Sequence, residues 1–381
     1  MSPITTEYEF MTYDAPVRKT DTSSRVQALD LLRLVAVLSV VVYHYGFRGP
    51  STGDFTHVAI PEIGTFAMYG FLGVPAFFVI SGFVIAYSAE GRTATGFAIA
   101  RFSRIYPTFV LCMTLTFLTV LMIGQPDFTT SAGQWIANLL IAAPALHHPY
   151  MDSAYWSLVI EVTFYAWVTV LIAAGLFPRR IDAIVLAWLF LSIANELTID
   201  ARFIEVVFLA DDAGYFATGL MIYEFYRGRR DLMLYGILCL SAGVAVFHAV
   251  HSLAWLRSHS GATFDAWIVA AICLASIMTI LLATQIKRLP LSPQLVIAVG
   301  GITYPLYLLH QQIGYTLFVR MAPANAKLGV TAIILGIGFA SWILWRYVEG
   351  PLQRVIRSHL TGCAARLGWP SKPELVARSN P

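Results

Sequence analysis

The 381-residue chain is 57% hydrophobic and only 12% charged, with a mean hydropathy of +0.68. This composition excludes an ordinary soluble domain, which carries about 25% charged residues, and fits a protein whose surface faces lipid. A formal net charge of +3 is too small to suggest a nucleic-acid partner, so the placement of charge says more than its sum.

The polar stretch 1–25 lacks the n-region and h-region of a cleaved signal peptide. The first apolar run therefore reads as a retained membrane helix. A spanning helix needs about 20 mostly apolar residues. Candidate spans follow at 29–47, 66–88, 104–124, 155–177, 182–199, 213–226, 231–251, 264–285, 295–319 and 328–348. The sixth is short, and 135–146 reads as a further half-buried segment, which bounds the count between nine and eleven. The expected fold is an all-α polytopic bundle of about ten transmembrane helices. Its transmembrane domain is 26–357, between tails at 1–25 and 358–381. No fixed-period repeat is apparent, and no soluble domain is expected at either end.

Basic residues segregate between alternate loops. One set carries Arg18, Lys19, Arg25, Arg92, Arg101, Arg104, Arg179, Arg180, Arg227, Arg229, Arg230, Lys287 and Arg288. The tail adds Arg346, Arg354, Arg357, Arg366, Lys372 and Arg378 to that set. The opposite loops carry only Arg48, Arg202, Arg257, Arg320 and Lys327. By the positive-inside rule, the richer set and both termini are cytoplasmic.

Ionisable groups at membrane depth usually mark function. Arg33 and His44 share the first span. Eleven residues is close to three turns, so both face one side, about 16 Å apart along the axis, with Arg33 towards the inner end. The third span opens with Arg101 and Arg104, on one helix face, where arginines can grip phosphate bidentately. Arg92 is a third candidate for that patch. The fourth begins Tyr155-Trp156-Ser157 and carries Glu161, for which His44 is the expected partner. The ninth contains Tyr304, Pro305, Tyr307 and His310, and its proline frees a carbonyl, permitting irregular backbone beside a cavity. The tenth ends in Arg346-Tyr347-Val348-Glu349-Gly350-Pro351, read as an inner-face salt bridge and helix stop. Each feature also has a plain structural reading: snorkelling arginine, ordinary positive-inside charge, or aromatic belt. Cys112, Cys239, Cys273 and Cys363 form no CxxC or CxxH pair. No disulfide and no metal site is expected from them.

Together these stretches resemble acyltransferase family 3, the membrane O-acyltransferases that decorate surface glycans and related acceptors. The likeness runs over about residues 26–357. It rests on Arg33 to His44, on Gly73-Val74-Pro75-Ala76-Phe77-Phe78-Val79-Ile80-Ser81-Gly82-Phe83, and on Arg101 with Arg104. It continues with Trp156-Ser157-Leu158 through Glu161 to Tyr165, and with Tyr304 to His310. Leu34 stands where many members have glycine, and no fused extracytoplasmic domain is expected. The resemblance implies an acyl-CoA donor, acetyl-CoA above all, a site within the membrane, and catalysis by the Arg33–His44 pair.

Acyl transfer to a hydroxyl needs a base and a stabiliser for the thioester oxyanion. His44 is the expected base, with Glu161 orienting it as a carboxylate does in a triad. Arg101 and Arg104 are expected to hold CoA phosphates, and Arg33 to stabilise the oxyanion or position the pantetheine arm. Trp156 and His310 are further candidates, and Ser81, Tyr307 or a histidine would carry any covalent acyl group. No permanently bound cofactor and no nucleic acid is expected. The expected partners are acyl-CoA, a glycan or lipid-linked carbohydrate acceptor, and the lipids of a bacterial inner membrane. A secondary transporter or glycan exporter is the rival reading, since buried His, Glu and Arg also suit proton relays.

Overall fold

The computed structural model describes residues 27–54, 61–141, 143–286, 289–321 and 325–369. The tail 1–25, with Lys287, Arg288, Lys372 and Arg378, lies outside the described residues. Every regular element among the described residues is helical. The long helices are α1 (Gln27–Tyr43), α2 (Gly73–Ala89), α3 (Ala94–Ile123), α4 (Trp156–Ala173) and α5 (Ile181–Ala194). They continue with α6 (Ala213–Tyr226), α7 (Leu232–His251), α8 (Ala266–Ala283), α9 (Pro293–Met321), α10 (Ala326–Ile343) and α11 (Gly350–Arg366).

Local chemistry sets many of the ends. Thr93 accepts from Gly96 N at 3.1 Å to start α3, and Asp265 accepts from Trp267 N at 2.7 Å to start α8. Both satisfy amide groups that a helix N-terminus leaves free. Asp231 caps α7 and also pairs with Arg229, which reaches Asp182 of α5 at 2.6 Å. The Arg229 guanidinium holds the exposed Asp231 carboxyl down to about 2.

Among the described residues, eight helices are long and apolar enough to cross a membrane, or nine if the pair Arg202–Phe208 and Ala210–Tyr226, bent by 57°, is one span. That bend accounts for the short sixth span. Leu209 adopts the left-handed backbone region (φ 52°) and breaks the helix. The expected span 295–319 is α9, which carries Pro305, His310, Gln311 and Gln312. Those residues make it too polar to rank by composition, although its 29 residues extend about 43 Å, longer than a hydrocarbon core of about 30 Å. The segment 135–146 is not a span but two short turns, Ala132–Asn138 and Ala143–Leu146. Gly350-Pro351 does not stop a helix either. Proline at a first-turn position lacks only an N–H that would be free anyway, and α11 runs through position 358 to Arg366.

The apolar interior forms two clusters. One gathers α2, α5, α6, α7 and α8, and the other α1, α3, α9 and α10. In the first, α2 and α6 touch backbone to backbone: a Cβ on Gly219 would collide with the Val79 carbonyl, and one on Gly82 with that of Phe216. Such small-residue contacts are how helices associate where no hydrophobic drive separates protein from lipid. Large apolar side chains such as Phe190, Trp267 and Leu335 point outward, as a lipid-facing surface requires. Helices α1 and α4 contribute to both clusters, and many of the buried polar residues gather along this seam.

Candidate active site

Helix α9 supplies a ladder. Tyr304, Tyr307 and His310 recur every three residues and so share a face, which looks along the seam towards α1 and α4. The ladder separates two polar layers.

The first layer is a cavity of about 100 Å³ whose wall includes Arg33, Arg101, Arg104, Ser81, Glu161, Tyr165, Ser157, Tyr304 and Tyr307. Glu161 accepts from Ser81 Oγ at 3.2 Å and from the Tyr165 hydroxyl one turn along α4. Arg33 pairs with Asp30 at 3.3 Å. The cavity thus gathers three guanidinium groups with one carboxylate. The Arg101 Nε is buried and has no hydrogen-bond partner. Leaving such a donor unmet costs about 1–3 kcal/mol, more when it is charged, so this position favours an anionic acceptor. Arg92 does not line the cavity. It stands at the loop before α3, where burial and then the neighbouring Arg357 hold its pKa below the ordinary arginine value.

The second layer is a pair of buried imidazoles at the point where α1 passes into a π-helical turn, His44–Arg48. His310 Nδ1 lies 2.6 Å from the Tyr307 carbonyl, and its Nε2 lies 3.1 Å from His44 Nδ1. A carbonyl only accepts, so the His310 hydrogen is assigned to Nδ1 and its Nε2 carries the lone pair. The His44 hydrogen is then assigned to Nδ1, shared between His310 Nε2 and the Val40 carbonyl at 2.9 Å. That leaves His44 Nε2 as a free base. Three phenols brace this layer: Tyr45 donates to the His310 carbonyl, Tyr315 to that of His44 and Tyr155 to that of Leu308. Outside the spans, Asp152 accepts from Gln312 N at 2.8 Å and from Ala154 N at 2.9 Å, fixing the start of α4 to α9. Burial pushes its carboxyl up to about 7.

Arg33, Arg101, Arg104, Ser81, Glu161 and Tyr307 therefore meet in one cavity, and His44 and His310 meet beside it. Glu161 does not partner His44. Tyr155 lies at the histidine layer, and Glu161 is six residues, or about 9 Å, further along the helix, level with Ser81 of α2. The side chain that lies against His44 Nδ1 is His310, not Glu161. Trp156 joins neither layer. It is 44% exposed and edges against Phe78. The sequence motif named Ser157 without giving it a role, although its Oγ stands 2.7 Å from the Tyr307 hydroxyl, and gave no role to Tyr165. The i, i+4 spacing of Glu161 and Tyr165 was the available signal for the latter.

The Acyltransferase domain family, acyltransferase family 3, matches residues 26–346. The chain belongs to this family. Among curated relatives, nodulation protein 10 of Rhizobium leguminosarum bv. viciae is 23% identical over 86% of this chain and 93% of that protein. Acyltransferase MdmB of Streptomyces mycarofaciens is 29% identical over 37% of this chain, but the match spans only 38% of MdmB. The putative peptidoglycan O-acetyltransferase YrhL of Bacillus subtilis is 28% identical over 42% of this chain and 26% of its own length. No solved structure matches. As a multi-pass membrane O-acyltransferase of family 3, the protein presents its arginines and its paired histidines in separate layers of one seam.

Proposed function

We propose that this membrane O-acyltransferase takes its acyl group from cytoplasmic acyl-CoA, with acetyl-CoA as the principal donor. It passes the group to a hydroxyl of a glycan or lipid-linked sugar. The buried, partnerless Arg101 Nε among three cavity arginines carries this reading, because phosphate oxygens supply the acceptors that such a site lacks. Arg101 and Arg104 would hold the CoA phosphates. Arg33 shares their cavity and stands about 16 Å along α1 from His44, so it positions the pantetheine arm, not an oxyanion beside His44. His44 Nε2 takes the acceptor's hydroxyl proton as the new C–O bond forms. The C–S bond breaks, and the proton passes to the CoA thiolate. Tyr307 and Ser157 stand between the layers and must part for the thioester to reach His44. Transfer is direct on this reading, with no acyl group on Ser81 or Tyr307.

The bent pair and α9, added to the eight apolar helices, make ten spans with both termini in the cytoplasm of a bacterial cell and the chain in its inner membrane. The relative named as a peptidoglycan O-acetyltransferase supports a glycan acceptor. Family membership favours acyl transfer over export.

Calorimetric titration with acetyl-CoA tests the donor site. Arg101→Ala with Arg104→Ala should weaken binding roughly ten- to a hundredfold, since one charge-assisted contact is worth about 1.5–3 kcal/mol. Unchanged affinity would return both arginines to ordinary positive-inside charge. Sidedness is tested with single cysteines at positions 52 and 92 in intact cells. An impermeant thiol reagent should label the first and not the second, and the reverse pattern would invert the orientation.

A further inference from the structure

A second polar cluster lies away from the seam, at the ends of α5 and α7 opposite the Arg179–Arg180 and Arg229–Arg230 loops. Glu196 comes from the π-helical turn Asn195–Ile199 that extends α5. Asp211 comes from the short turn Ala210–Asp212 before α6, and His248 and His251 from the last turn of α7. Glu196 Oε1 lies 2.7 Å from His251 Nε2, and Oε2 lies 3.8 Å from His248 Nδ1. Ligand-capable atoms of Glu196, Asp211 and His248 all lie within 4.8 Å of one another.

The hydrogen bonding outside this cluster determines what it can hold. The buried Ser192 hydroxyl donates to the Ala210 carbonyl at 2.6 Å, so its oxygen accepts from His248 Nε2 at 3.0 Å. His248 therefore carries its hydrogen on Nε2, and its Nδ1 lone pair faces Glu196 and Asp211. Three acceptors converge. Metal-ligating histidines are oriented in this way, by a partner on the nitrogen that does not bind the metal.

We propose that Glu196, Asp211 and His248, with the half-exposed His251 as fourth ligand, form a site for a divalent cation of the zinc class. Imidazole together with carboxylate suits zinc and its neighbours better than calcium or magnesium, which take oxygen ligands. Bonds of about 2.0–2.2 Å place tetrahedral ligand atoms about 3.4 Å apart, so side-chain rotations must draw in atoms that now lie within 4.8 Å of one another and open the 2.7 Å Glu196–His251 contact. The expectation that the chain holds no metal was drawn from its cysteine spacing, and this site, which contains no cysteine, departs from it. A bound ion would tie the ends of α5 and α7 to the turn that feeds α6, and so brace the helix that packs against α2.

The test uses full-length protein without a polyhistidine tag, stripped with EDTA and titrated with zinc. Zinc retained per chain and the thermal unfolding midpoint are both read. Wild type should retain one zinc more than the Glu196→Gln, Asp211→Asn double variant, with a midpoint rise that the double variant lacks. Asp211→Asn alone, at an exposed position, keeps the fold and should weaken zinc retention. Ser192→Ala should weaken it roughly ten- to a hundredfold, the usual effect of losing an outer partner. Equal retention by wild type and double variant would assign the zinc to surface imidazoles and overturn the proposal. So would a midpoint that ignores zinc but rises on acidification through the histidine range, because the cluster would then be an ordinary His248–Glu196 ion pair.

Discussion

The arginine cavity and the histidine layer share α9, yet they differ in what they leave unmet. In the cavity, donors exceed acceptors: three guanidinium groups face one carboxylate, and Arg101 Nε has no partner. In the histidine layer, both His310 nitrogens and His44 Nδ1 are committed, which leaves one lone pair. A region with spare donors suits holding an anion, whereas one with a single free lone pair suits taking a proton. On the proposed reading, donor binding and proton transfer are assigned to separate layers, with Arg33 and His44 about three turns apart on α1, unlike a compact triad in which both meet at one carbonyl.

Three substitutions test that separation. His44→Ala removes the free lone pair and should lower kcat about 10²- to 10⁴-fold, the usual contribution of a general base. The acetyl-CoA dissociation constant should stay within threefold, and a parallel loss of donor affinity would merge the two layers. His310→Ala leaves the His44 hydrogen held only by the Val40 carbonyl. It should lower kcat roughly fivefold, because one orienting hydrogen bond is worth about 1 kcal/mol, and it should displace the pH dependence of kcat. A pH profile identical to wild type would show that His310 does not orient the base. Glu161→Gln should have the smallest effect, a change of about fivefold or less in the donor KM with kcat preserved, because the amide oxygen can still accept from Ser81 and Tyr165. A kcat loss as large as that of His44→Ala would restore Glu161 to the triad role the sequence suggested.

Much of this organisation was legible from residue types and spacing. Arg101 and Arg104 at i, i+3, Arg33 three turns from His44, and the Tyr304–Tyr307–His310 periodicity all follow from helical geometry. What spacing within a helix does not carry is the vertical offset between helices. Glu161 and His44 both looked near one membrane face, but α4 enters beside Leu308 of α9, and this offset lowers Glu161 to the level of Ser81. The His44–His310 contact joins residues 266 positions apart, and the Ser192–His248–Glu196 arrangement joins the extended α5 to α7. No local pattern encodes either. The sixth span read short because Leu209 breaks the helix without the glycine or proline that usually signals a break.

The polarity of α9 has a consequence for how the chain is built. Apolar helices partition into the bilayer on their own merit, whereas charged or strongly polar residues at a helix centre oppose insertion. The helix bearing Tyr304, Tyr307, His310, Gln311 and Gln312 is the long helix least able to do so unaided. It emerges from the ribosome after α1, α3 and α4, the helices that receive its polar face. Its entry into the membrane is therefore coupled to docking against partners already in place, and the active site is completed only as the last part of the bundle assembles.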